Sequence, residues 1–138
     1  MNTSLTALVM VFATLGLGGC QTSLLKPMSG NSAFATVKYP IFVGDTQITV
    51  SLDGKTYAGI AGEFRNDTTG EQALRFGWKP NHKHRNIKQE MLFLFGTTTL
   101  TAVDGEKLIC DHLKHGDDWR LRCNSVEGKE MALYRVKQ

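Results

Sequence analysis

Leu108-Ile109-Cys110-Asp111-His112-Leu113-Lys114-His115-Gly116-Asp117-Asp118-Trp119-Arg120-Leu121-Arg122-Cys123 reads as a β-hairpin folded about Gly116-Asp117. Glycine in the first place suits a two-residue type II′ turn, because it accepts the positive φ that this position requires. Counting outward then sets His115 opposite Asp118, Lys114 opposite Trp119, Leu113 opposite Arg120, His112 opposite Leu121 and Asp111 opposite Arg122. Cys110 lands opposite Cys123. Hydrogen-bonded and non-hydrogen-bonded pairs alternate away from the turn, so the cysteines fall on a non-hydrogen-bonded pair. There the Cα atoms approach to about 4.5 Å, a separation that a disulfide accepts. The bridge is expected to be structural, contributing roughly 3 kcal/mol on the chain-entropy view. A redox role would favour closely spaced thiols such as Cys-x-x-Cys.

The neighbouring segments carry the same kind of signal. Ile48, Val50 and Leu52 alternate with Thr49 and Ser51, and Asp53-Gly54 supplies a strong hairpin turn. Outward counting pairs Leu52 with Lys55, Val50 with Tyr57 and Ile48 with Gly59. Asn66 to Gly70 is a second turn cluster, followed by Leu74, Phe76 and Trp78 at period two, which predicts a strand with one aromatic face. Met91-Leu92-Phe93-Leu94-Phe95 is apolar throughout, and the Thr-rich run after Gly96 favours a buried strand there. Asp104-Gly105 leads into the Cys110–Cys123 hairpin, and Met131 to Val136 can close the sheet. Seven to eight short strands with no convincing amphipathic helix predict an all-β domain, a small antiparallel sandwich or barrel.

The 138 residues, 41% apolar and 21% charged, suffice for one small domain. Sixteen Lys and Arg against 13 Asp and Glu give a net charge of +3, too little concentrated positive charge to point to nucleic acid. Residues 21–40 hold Ser, Thr, Gly, Asn and two prolines with little periodicity, and are expected to form a flexible tether. The folded domain is expected to begin near Tyr39 to Phe42, giving a β-domain over 41–138.

Residues 1–19 differ in kind. Leu5 to Leu17 is almost unbroken apolar sequence without charge, ending in Leu17-Gly18-Gly19-Cys20. At 13 residues it is short of the about 20 that span a bilayer, and its glycines suit a protease's extended cleft, so it reads as an export signal. Leu17-Gly18-Gly19-Cys20 resembles the lipobox of bacterial lipoproteins. That resemblance implies that Cys20 takes a diacylglycerol and that cleavage falls between Gly19 and Cys20. The freed amine can then be acylated, palmitate being a usual chain. Gln21, where an Asp would favour inner-membrane retention, implies the outer membrane with the domain facing the periplasm. Lipidation of Cys20 also leaves Cys110 and Cys123 as an even pair, as an oxidising compartment requires.

Four histidines are the candidate metal ligands, His82 with His84 and His112 with His115. On a strand, His112 and His115 point to opposite faces, which separates them. His82 and His84 lie among Lys79, Lys83, Arg85 and Lys88, whose charge opposes a divalent cation. Solvated histidines are therefore expected, with no metal and no cofactor. Arg75 adds to those cations to make a basic stretch, read as a solvated loop. Asp104 to Asp118 is correspondingly acidic. No Gly-x-Ser-x-Gly and no free mature Cys suggests a nucleophile, and Asp117 and Asp118 beside His115 suit a tight turn. No catalytic residue is expected.

Gly54-Lys55-Thr56-Tyr57-Ala58-Gly59 is similar to the Ser-Gly-x-x-Tyr loop of the membrane-bound inhibitors of c-type lysozyme, with Asp53 in place of the Ser. The resemblance implies an inhibitor of a cell-wall-degrading enzyme. A surface tyrosine after a hairpin turn accounts for the same residues and is the preferred reading. The whole chain thus reads as an outer-membrane lipoprotein with a non-catalytic binding or scaffolding role toward an envelope protein or cell-wall component. An inhibitor of such an enzyme and a periplasmic metal binder are the alternatives.

Overall fold

The computed structural model describes residues 19–27, 32–78 and 93–135. Its strands are β1 (Cys20–Pro27), β2 (Phe34–Pro40), β3 (Gln47–Leu52), β4 (Lys55–Ile60), the two-residue β5 (Arg65–Asn66), β6 (Phe93–Ala102), β7 (Lys107–His115), β8 (Asp118–Ser125) and β9 (Glu130–Arg135), with one short helix, α1 (Glu71–Arg75). Every pairing is antiparallel, and β1 to β4 follow one another in space as in sequence, as do β6 to β9. β4 pairs with β6 and β1 with β9, so eight strands close into a barrel, and the short β5 pairs with the start of β6 on the same edge that β4 meets further along. The closing ladders are short, Leu25–Pro27 of β1 on β9 and Tyr57–Ala58 of β4 on β6, and they join the two halves of the sheet.

The turns set the registers. Asp53 (φ 50°) and Gly54 (φ 76°) both take positive φ, as a type I′ turn demands, and the β3–β4 pairs are those counted from the sequence. At Gly116-Asp117 only the glycine has positive φ, as in a type II′ turn. The pairs run from His115 and Asp118 to Cys110 and Cys123 as expected.

Two expectations are corrected. The stretch 20–40 expected to be a tether instead supplies two barrel strands, Cys20–Pro27 and Phe34–Pro40, so the described fold includes residues well before 41. Ser23 and Leu25 of β1, with Ala35, Val37 and Tyr39 of β2, point into the core. Small inward residues conceal the alternation, yet they leave room for larger side chains across the barrel. Leu74, Phe76 and Trp78 are likewise not a strand. Ala73 donates its N–H to Asp67 Oδ2 (2.9 Å) and Glu71 to Thr69 Oγ1 (3.3 Å), so the turn cluster supplies acceptors for a helical turn and α1 forms instead. Leu74 is consequently exposed while Ala73 and Phe76 are buried. Met91 and Leu92 lie outside the described residues, and β6 begins at Phe93.

The core is the barrel interior, where Leu25, Val37, Ile48, Val50, Leu100, Leu108, Trp119, Leu121 and Leu133 are sealed from solvent. The segment around α1 lies on the outer wall of β7 and β8. Arg120 Nη1 donates to the Phe76 carbonyl (2.7 Å) and Arg122 Nη1 to that of Arg75 (3.0 Å). This cover explains why Leu113, paired with Arg120 and pointing away from the barrel axis, is fully buried.

Candidate functional site

Cys20 is the first residue of β1, opposite Pro40 at the end of β2, and its thiol is free and exposed. Gly19 accepts a hydrogen bond from the Ile41 N–H (3.2 Å), and a Cβ on Gly19 would sit 3.0 Å from Ile41 Cδ1. The loop that follows exposes Ile41, Phe42 and Val43 to 51%, 80% and 92%. Because strand directions alternate, this end of the barrel also carries the β4–β6 connection and the Gly116-Asp117 turn. Asp53-Gly54, Asp104-Gly105 and the β8–β9 turn lie at the other end. The exposed triplet has a visible signal, apolar residues held between Pro40 and Gly44-Asp45, in the region where the folded domain was expected to begin, Tyr39 to Phe42.

Side chains fill the barrel. Trp119 meets Tyr39 at 5.7 Å between ring centroids and Phe64 at 5.8 Å, and Phe64 meets His112 edge-on at 5.0 Å. Tyr39 donates its hydroxyl to Gln21 Oε1 (2.7 Å), so Gln21 also has a part in the barrel. The cavity lined by Leu52, Leu108, Cys123, Ser125, Lys129 and Met131 measures about 10 Å³, the room of a single water rather than of a ligand.

His112 is fully buried and its Nε2 accepts the Gly62 N–H (3.0 Å), which leaves the proton on Nδ1, where it has no partner. Desolvation lowers its pKa to about 4, against a smaller opposing pull from the Asp111 carboxylate. The ring is therefore neutral across the physiological range and serves to hold the β4–β6 connection to the barrel. His115, on the other face, stacks on Phe93 at 3.9 Å and meets Trp78 at 5.2 Å. Beside it the Arg120 guanidinium lies 3.9 Å from the Trp78 ring and 5.1 Å from that of Tyr134. His112 and His115 thus stay apart, while His82 and His84, with Lys79, Lys83, Arg85 and Lys88, lie outside the described residues. Among the described residues no group of three or more His, Cys, Asp or Glu is arranged to hold a metal ion.

Cys110 and Cys123 form a disulfide across the expected pair, with Cα atoms 4.0 Å apart. Tyr57 is not a surface residue: it is 3% exposed and points into the core, because β4 inherits its inward face from Val50 across the Asp53-Gly54 turn. Desolvation raises the pKa of its phenol, with a further rise from a hydrogen bond to Glu106. Lys55 forms ion pairs with Asp104 (2.7 Å) and Glu106, which hold its ammonium charged and lower both carboxyl pKa values. The acidic stretch is divided in space, with Asp104 and Glu106 at one end of the barrel and Asp117 and Asp118 at the other. Comparison with protein-family models, with curated proteins and with solved structures finds no match for this chain.

Proposed function

We propose that this chain is a bacterial lipoprotein, acylated at Cys20, whose barrel faces the periplasm from the outer membrane and acts by binding or scaffolding rather than by catalysis. The observation that carries the reading is the position of Cys20. It ends the lipobox-like Leu17-Gly18-Gly19-Cys20 and is also the exposed first residue of β1, so cleavage before it leaves every described strand whole. The other two cysteines are bridged, as suits an oxidising compartment, and Cys20 is the thiol left for lipid. Two or three acyl chains at that sulfur and amine hold far more firmly than the single chain that gives marginal attachment.

Among the described residues the barrel interior is packed with its own side chains and the cavity beside Leu108 and Met131 holds about 10 Å³, so on this reading recognition of an envelope protein or cell-wall component falls to the outer wall and loops. Inhibition of a lysozyme through Gly54–Gly59 gains no support from a tyrosine that lies in the core. Growth with labelled palmitate tests the proposal: label enters the wild-type chain, is absent from Cys20→Ser, and fractionates with the outer membrane. An unlabelled wild-type chain among cytosolic contents overturns it. Crosslinking in cells followed by capture of the anchored protein then names the partner.

A further inference from the structure

We propose that the β2–β3 loop inserts Ile41, Phe42 and Val43 into the bilayer beside the lipid on Cys20, fixing the barrel end-on against the membrane; this rests on the lipoprotein reading above. A lipid-attached domain is ordinarily imagined swinging on a linker, but none exists here. Cys20 is itself the first residue of β1, and a strand advances only about 3.3 Å per residue. Acyl chains on its sulfur therefore bring the rim of the barrel to the headgroup layer.

The rim at that point is the β2–β3 loop. Cys20 pairs with Pro40, and the next residue, Ile41, donates its N–H to Gly19, so loop and attachment point are bound together by backbone contacts. Ile41, Phe42 and Val43 are 51%, 80% and 92% exposed, and among the described residues they form the only consecutive run of exposed large apolar side chains. Val103 and Val126, at turns of the opposite end, are single. Gly44 (φ 140°) then turns the chain back, and the exposed Lys38 and Asp45 mark where polar surface resumes. An apolar tip with polar shoulders next to an acylation site matches the boundary between acyl chains and headgroups, into which peripheral elements sink their apolar face to a depth of about 5–10 Å. The occupant is the lipid surface, because attachment at Cys20 holds that surface against the loop, whereas a second copy of the chain would have to displace it.

The test uses the full chain, exported and extracted from membranes, as Val43→Cys and Val126→Cys variants carrying a nitroxide. Both sites are exposed, so a label fits at each without disturbing the core. After reconstitution into phosphatidylethanolamine–phosphatidylglycerol vesicles, collision rates with oxygen and with a nickel chelate are measured, together with the intact mass of the same samples. The expected ratio of oxygen to nickel accessibility is several-fold higher at 43 than at 126. Acylated protein with equal ratios overturns the insertion while leaving the lipoprotein reading standing, as does suppression of both collision rates at 43, which signals contact with a second copy. Protein without acyl mass but with residue 43 in lipid overturns the lipoprotein reading and supports insertion. Protein without acyl mass and with residue 43 in water overturns both.

Discussion

Gly96 lies directly opposite His112 in the β6–β7 ladder, and a Cβ placed on it would come within 2.5 Å of His112 Cε1 and 2.7 Å of the Glu63 carbonyl oxygen. The imidazole occupies the space that a side chain at residue 96 would fill. Glycine is needed here for close approach rather than for an unusual φ. The same ring accepts the Gly62 N–H, and a Cβ on Gly62 would meet the Thr97 carbonyl oxygen at 2.0 Å. Two glycines and one histidine thus draw the β4–β6 connection onto the barrel.

Gly96→Ala should therefore destabilise the domain by about 1–3 kcal/mol, the usual cost of overpacking. Combining it with His112→Ala should recover only part of that, because the Glu63 carbonyl clash remains. Urea midpoints of the single and double variants measure this. A Gly96→Ala midpoint equal to wild type would contradict the contact.

His112 makes stability depend on pH in a defined window. In the unfolded chain a histidine titrates near pH 6.5, whereas the folded ring holds out to about 4. Between those values the unfolded chain binds more protons, so stability is fully present above the upper value and declines as pH falls toward the lower. The total change is on the order of 3 kcal/mol, with about 2 kcal/mol gone by pH 5. Denaturant midpoints at pH 7 and 5 should show this loss in wild type and much less in His112→Gln. Equal losses in the two would assign the effect to other groups.

The Cys110–Cys123 bridge closes a loop of sequence separation 13 within a single hairpin. Replacing both cysteines with alanine should lower stability by roughly 3 kcal/mol on the chain-entropy view. Reductant should then shift the wild-type denaturant midpoint and leave that of the variant unmoved.

Trp119 is sealed from solvent among Tyr39, Phe64 and His112. Trp119→Ala should cost about 3–5 kcal/mol, enough to threaten the fold of a domain this size. Trp119→Phe keeps most of the volume and should be considerably milder. Thermal unfolding followed by circular dichroism distinguishes the two.

The hairpins were legible because Asp53-Gly54 and Gly116-Asp117 determine local geometry, and period-two counting from such turns gives every cross-strand pair. β1 and β2 were not legible because their inward positions hold Ser23 and Ala35 beside the larger Leu25 and Val37, and because Pro27 and Pro40 at the strand ends look like linker composition. Alternation of Ala35, Val37 and Tyr39 with Phe34, Thr36 and Lys38 was the signal available. α1 was misread because Leu74, Phe76 and Trp78 fit a period of two by spacing alone, while the helical turn depends on acceptors from Asp67 and Thr69. Of the proposed site, Cys20 stands out in the sequence by its place at the end of Leu17-Gly18-Gly19-Cys20. The apolar triplet beside it was legible as a run between Pro40 and Gly44, but its exposure was not, since that follows from closure of the barrel and not from the side chains themselves.

Intact mass of the chain extracted from membranes tests the central claim most directly. A polypeptide beginning at Cys20 and carrying a diacylglycerol, with or without an amide-linked acyl chain, is the expected result. An uncleaved chain with an unmodified Cys20 would contradict it.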